Sequence, residues 1–318
     1  MKGMLVAAVV GLAAGSAYAG PLGESGEVFD PVPPVDPFKA ARLPITNAVY
    51  NDLAIPVSHA RPLFMHQSLP RTLSTIVGNL PVDGDFQLFA LQLEFALNDR
   101  LAIIAKKDGY INFDPDTTLT GADGWANLAA GLKYAFIRND DLGLAVAGSF
   151  LYEAPTGSSD VWQGKGDGSI TPALSVLKLW DAGFQVTGNT GLVIPFDSGE
   201  NSMTYFASAG VSYELTDWLF PTAEVNYFRV VDEGNGGARF MRQAGGAVPA
   251  LATFEGGDLV NLGASNAGTN ADLVTLGLGF RIRAAENIDI GAAFEFPLTD
   301  DSDNLMENRF TLDFVWRF

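Results

Sequence analysis

The last ten residues, Arg309-Phe310-Thr311-Leu312-Asp313-Phe314-Val315-Trp316-Arg317-Phe318, decide how the rest of the chain is read. Phe310, Leu312, Phe314, Trp316 and Phe318 alternate with Arg309, Thr311, Asp313, Val315 and Arg317. Side chains of a strand point to opposite faces with a period of two, so this segment has one greasy face and one mainly polar face. It stops on an aromatic residue at the very end of the chain.

The same alternation recurs upstream. Phe89, Leu91, Leu93, Phe95 and Leu97 stand against Gln92 and Glu94, and Leu128, Leu132, Tyr134 and Phe136 against Asn127, Gly131 and Lys133. Segments 184–194, 203–215, 272–282 and 288–296 repeat it. Segment 101–113 is less regular: Lys106 and Lys107 are adjacent, so one of them breaks the pattern. Pro172 and Pro221 fall inside apparent strands and predict local irregularity, because proline cannot donate to a ladder. No stretch shows the 3.6-residue period of an amphipathic helix.

The links between segments alternate in length. Turns at 98–100, 138–141, 180–183, 216–217 and 284–287 are short, whereas 114–124, 154–168, 196–202, 232–270 and 298–306 are long. Short turns on one side and long loops on the other are the plan of an outer-membrane β-barrel. Eleven strands are legible from Phe86 onward. An N-terminus in the periplasm then demands one earlier outward strand, best placed at 58–68. The expected fold is therefore all-β: a closed antiparallel up-and-down transmembrane β-barrel of about twelve strands over 58–318. The terminal strand resembles the signal read by the bacterial barrel-assembly machinery, with Phe318 and Trp316 as its key residues.

The N-terminus fits export. Lys2, the apolar run 4–14 and Ala17-Tyr18-Ala19 form a signal peptide over 1–19, too short for the ~20 apolar residues of a spanning helix. Residues 20–57 are rich in proline and acid and predict an irregular segment in the periplasm or the lumen. A net charge of −18 argues against a nucleic-acid partner, and the absence of cysteine excludes disulfides and thiol chemistry. The expected surroundings are outer-membrane lipid outside and small-molecule solutes inside.

On the polar strand faces, Glu94, Lys106, Asp108, Lys133, Glu153, Glu214, Glu224, Arg281, Asp289, Glu295, Arg309, Asp313 and Arg317 are expected to line the lumen. Phe310, Leu312, Phe314 and Trp316 then face lipid, and a charge should be tolerated better at Thr311 than at Leu312. Two readings of the charged lumen stay open: an aqueous channel, or a structural or surface-interaction barrel with a plugged lumen. Loop 232–270, with Phe240, Met241, Leu251, Phe254, Leu259, Val260 and Leu262, either folds inward, packs across the mouth or flaps outward.

Enzymatic chemistry finds little support. His66-Gln67-Ser68 lacks an evident oxyanion hole or third triad member, so no catalytic residue and no cofactor is expected. Acidic clusters at 114–116 and 300–304 lack full calcium-loop spacing and read as solvated loops, with no metal expected. Gly164-Lys165-Gly166-Asp167-Gly168 lacks the ending of a phosphate loop.

Gly257-Asp258-Leu259-Val260-Asn261-Leu262-Gly263, Leu273-Val274-Thr275-Leu276-Gly277-Leu278-Gly279-Phe280, and Ile170-Thr171-Pro172-Ala173-Leu174 after Gly166-Asp167-Gly168 resemble the family of outer-membrane transporters of the MetA pathway of phenol degradation. The resemblance covers about 58–318. It implies a barrel for passive passage of small, apolar or aromatic molecules, and carries no catalytic residues with it.

Overall fold

The computed structural model describes residues 36–237, 245–268 and 272–318. The proposed signal peptide, residues 20–35 and the loop residues Phe240 and Met241 lie outside them.

The apolar–polar alternation produces twelve barrel strands: β1 His59–Ser68, β2 Gly84–Ala96, β3 Leu101–Lys107 continued by Tyr110–Pro115, and β4 Ala122–Trp125 continued by Leu128–Asn139. They continue as β5 Leu144–Ala154, β6 Ser169–Leu179, β7 Phe184–Pro195, β8 Met203–Tyr213 and β9 Leu219–Asp232. The set ends with β10 Asp272–Ala285, β11 Ile288–Pro297 and β12 Asn308–Arg317. Each pairs antiparallel with its sequence neighbours, and β12 pairs back onto β1 with Leu63 opposite Asp313 and Gln67 opposite Arg309. The sheet thus closes and leaves no free edge, as a bilayer requires. The strand expected at 58–68 is β1.

The register obeys the pleat. On β2, Phe89 and Phe95 are 58% and 56% exposed on the outside, whereas Gln92 and Glu94 are buried inside. On β12, Phe310, Leu312, Phe314 and Trp316 point out, and Arg309, Thr311, Asp313 and Val315 point in.

The irregular segment 101–113 contains a bulge, where the pairing of β3 with β4 shifts between Ala105 and Lys107. One extra residue flips the parity. Both Lys106 and Lys107 therefore point inward and are buried, so neither breaks the pattern at the other's expense. The same flip corrects the expectation for Asp108. It stands on the outer side of the wall, half-exposed, where Oδ1 accepts the Leu91 N–H at 2.9 Å. Pro172 interrupts the ladder to β7: pairing is continuous up to Ala173–Gly191 and resumes at Ile170–Ile194. Pro221 lies opposite Phe280 of β10, just beyond the last paired residue of β9 with β8, Thr222.

The turn end and the loop end of the barrel differ as expected, with one addition. The connection from β1 to β2 is also long, and carries a small ladder pairing Thr72 with Pro81 and Leu73 with Leu80. Its Leu69, Leu73 and Val82 form a core with Val248, Phe254, Leu259 and Leu262 of the loop 232–270. Ile76 N–H donates to Leu251 O at 2.9 Å and Thr253 N–H to Ser74 O at 3.2 Å. The described part of the long loop thus packs over the mouth, because its apolar side chains find apolar partners on neighbouring loops.

Candidate functional site: the lumen and its hairpin

Residues 36–57 contain proline at 37, 44 and 56, each of which lacks the N–H a ladder needs, and Leu43, Ile45, Leu53, Ala54 and Ile55 are all nearly fully buried. They are buried inside the barrel. The segment enters at the turn end, where Asp36 caps the short 3-10 helix Pro37–Ala40 and pairs with Arg138 at 2.8 Å. It climbs to Thr46, turns through Asn47, whose φ is 48°, and descends to β1. At the turn, Asn47 O accepts Tyr50 N–H at 3.1 Å and Asn51 N–H at 2.8 Å.

The inward-facing wall residues serve this hairpin. Glu224 of β9 accepts Ile45 N–H at 2.8 Å, Thr46 N–H at 2.7 Å and the Thr46 hydroxyl at 2.5 Å. Gln185 of β7 accepts Arg42 N–H at 2.7 Å and returns a bond to Arg42 O at 2.6 Å. Arg61 of β1 donates to Pro44 O at 3.0 Å, and Arg281 of β10 to Leu43 O and Pro44 O. Both guanidinium groups also meet Asp313 of β12, Arg61 through Nε at 2.7 Å and Arg281 at 2.8 Å.

On the descending leg, Asp52 lies 2.9 Å from Lys106 and 3.0 Å from Lys133, and Lys133 is 2.8 Å from Glu94. Glu94 in turn accepts Val57 N–H at 2.9 Å. Burial opposes ionisation of Asp52, but the two lysines hold its carboxyl well below the usual carboxylate range. Arg42 stands 3.8 Å from Asp289, which also pairs with Arg317 at 2.7 Å. Burial pushes Arg42 down to about 10 against the pull of Asp289. At the tip, the Tyr50 ring stacks on Phe206 with centroids 4.5 Å apart.

Higher in the lumen, Arg309 bridges Asp258 at 2.9 Å and Glu295 at 3.6 Å, and Lys107 pairs with Glu153 at 2.7 Å. Glu214 lies past the end of β8, half-buried, with its N–H bonded to Gly183 O. Strand parity gave no access to Asp52, Arg42 or Asp258, which lie on irregular segments. It did give access to Arg61 and Gln92, which alternate in phase with His59 and Glu94. Gln92 donates to Ala48 O at 2.8 Å.

A cavity of about 60 Å³ remains above the tip, between Tyr50, Phe228, Trp162, Gln163 and Asp258. That is room for a handful of waters, each of which needs about 10–15 Å³. His66, by contrast, sits half-exposed 3.8 Å from Asp85, while the Ser68 hydroxyl donates to Asn308. Asp300 spends its carboxylate on Ser302 N–H and hydroxyl.

The family model described as "Putative MetA-pathway of phenol degradation" matches residues 77–284, more than half of the chain. The protein belongs to this family. In fold, this member of the phenol-degradation family is similar to the COG4313 outer-membrane channel from Pseudomonas putida F1: TM-score 0.57 at 11% identity, over 83% of this chain and 96% of that one. It also matches the NanC porin, with TM-score 0.48, 7% identity and coverage of 82% and 100%. The translocator domain of the autotransporter NalP from Neisseria meningitidis matches with TM-score 0.45, 11% identity and coverage of 81% and 88%. A comparison with curated proteins found no match. The fold of this family member is that of a twelve-stranded outer-membrane β-barrel.

Proposed function

We propose that the protein is a passive outer-membrane channel for small apolar or aromatic molecules, closed at rest by its own hairpin 36–57. One observation carries this reading: how the hairpin is held. Among the described residues, no backbone–backbone hydrogen bond joins 37–57 to a strand. Every tie runs through a side chain, such as Glu224, Gln185, Arg61 or Lys106. Side-chain ties exchange one at a time, whereas a ladder parts cooperatively. Arg42 Nε, Asn47 Oδ1 and Asn51 Nδ2, all on the hairpin, find no hydrogen-bond partner among the described residues. The ascending leg leads back to the turn end, so its withdrawal leaves the barrel wall intact.

The test uses the natural lack of cysteine. A Cβ at Gly277 of β10 would lie 3.3 Å from Thr46 Cβ, close to the ~3.5–4.5 Å of a disulfide. The Thr46→Cys, Gly277→Cys protein is reconstituted in planar bilayers, with Thr46→Cys alone as control. Conductance under reducing conditions and none when oxidised supports the gated channel. Equal conductance in both states means that solute passes a docked hairpin, and overturns the gate. No conductance or solute uptake by wild type or variant leaves the structural barrel with a plugged lumen.

A further inference from the structure

At the turn end of the barrel, three guanidinium groups converge on the foot of the hairpin. Arg42 belongs to the ascending leg, Arg283 to β10 and Arg317 to β12. Arg42 Nη1 and Arg317 Nη2 meet on one acceptor, Ala41 O, at 3.2 Å and 2.9 Å. Arg42 and Arg283 both lie over the Phe220 ring, 4.5 Å and 5.1 Å from its centroid.

Negative charge is scarce there. Among the described residues, Asp289 is the only carboxylate in ion-pair reach of the three, 3.8 Å from Arg42 and 2.7 Å from Arg317, and Arg283 has none. Arg317 and Arg283 oppose the charge on Arg42, and Asp289 favours it. Acceptors are scarce as well. Arg42 is 3% exposed, and its Nε has no hydrogen-bond partner among the described residues. The guanidinium of Arg283 touches Phe220 and makes no hydrogen bond among the described residues. Idle guanidinium donors without a counter-charge match an oxyanion, whose oxygens accept in pairs. Arg283 is half-buried beside the short turn 284–287, and the Arg317 side chain is 15% exposed, so solutes at the turn end reach the group.

We infer that Arg42, Arg283 and Arg317 form a binding site for a small oxyanion such as orthophosphate, which ties the hairpin to the wall. The anion supplies the missing negative charge and bridges Arg42 of the hairpin to Arg283 of β10. Its binding therefore favours the docked hairpin. The site goes beyond the channel reading and does not depend on conduction.

Inorganic phosphate is titrated calorimetrically into the full-length protein in detergent, against sodium chloride at matched ionic strength. Hydrogen exchange is followed at Arg42, Ile45 and Thr46, whose N–H groups Gln185 and Glu224 hold. A ligand that binds only the docked state shifts docking about tenfold at roughly ten times its Kd. Phosphate should slow exchange at the three amides by that factor, and chloride should not. Arg283→Gln should weaken phosphate about tenfold and abolish the slowing. Without phosphate, the same variant should exchange no faster than wild type, because it removes a repelling charge. Arg283→Lys, which keeps the charge and loses the fork, should retain part of the affinity. Heat-modifiable migration on gels reports whether each variant is folded, and Arg317→Gln carries the test from β12 if Arg283→Gln is not. Equal effects of phosphate and chloride would reduce the group to charge screening and overturn the site. So would an unchanged phosphate affinity in folded Arg283→Gln, and so would faster exchange in that variant without phosphate, which makes the arginine structural. Phosphate binding without conductance would sink the channel and spare the site; conductance without phosphate binding would do the reverse.

Discussion

Arg281 and Asp313 face each other through two parallel hydrogen bonds, Nη1 to Oδ1 and Nη2 to Oδ2, both 2.8 Å, with both side chains wholly buried. They stand on β10 and β12 and reach across β11. Gly291 of β11 makes room: a Cβ there would meet the Asp313 carboxylate at 2.6 Å and Arg281 Nη1 at 2.7 Å. A second guanidinium, Arg61, closes on the same carboxylate.

Removing Asp313 leaves two buried cations facing each other. Loss of one partner of a buried pair costs about 3–5 kcal/mol. Asp313→Ala should therefore lower the temperature at which the folded barrel converts to the unfolded form on heated gels. An unchanged transition would mean that the arginines find compensation elsewhere.

Position 312 faces outward and 311 inward. Leu312→Arg near mid-membrane should cost about 2–4 kcal/mol and impair assembly, whereas Leu312→Phe should not. The expectation that Thr311 accepts a charge more readily needs revision. Thr311 is fully buried, opposite Met65 and Ala293 on its neighbouring strands, so Thr311→Arg lacks room as well. Thr311 Oγ1 has no hydrogen-bond partner among the described residues, so Thr311→Val should leave thermal stability the same or raise it. A clear loss in Thr311→Val would show that the hydroxyl is satisfied by water.

Asp52→Asn removes the charge that Lys106 and Lys133 share. Hydrogen exchange at Ile45 and Thr46, whose N–H groups Glu224 holds, should accelerate about tenfold, equivalent to ~1.4 kcal/mol. The pH dependence has a definite sign. Docking lowers the Asp52 carboxyl, so its contribution is complete above the ordinary value of 3.8 and is lost as pH falls through the lower docked value. Between pH 5 and pH 8, roughly the range of maximal stability for proteins, this contact should give no pH dependence. A change in exchange there that Asp52→Asn abolishes would contradict the assignment.

Phe318 is 55% exposed and touches Phe95 and Trp316 with ring centroids 5.4 Å apart in each pair. Full burial of such a side chain is worth only ~1.5–3 kcal/mol, and this one is half free. Deleting Phe318 should leave the melting of refolded barrel nearly unchanged and reduce the amount that reaches the outer membrane, with Trp316 insufficient as an assembly signal alone. Failed refolding with normal cellular assembly would make the residue structural.

What the sequence alone determined was whatever repeats with period two. Phe89 to Leu97 and Phe310 to Trp316 fix their faces because every second side chain meets lipid, and a slip by one residue would turn charge outward. That rule carried Glu94, Lys133 and Arg281, but failed at Asp108, where the bulge at Ala105 adds a residue that no composition signal announces. Tertiary structure alone decided what the inward charges do. Asp52 meets Lys133 across 81 residues of chain, Arg42 meets Gln185 across 143 and Thr46 meets Glu224 across 178, and these pairings depend on where an irregular, proline-broken segment settles. Its position follows from the buried wall groups that it satisfies, Glu224, Gln185, Arg61, Arg281, Lys106 and Lys133, which only the closed barrel brings around one space.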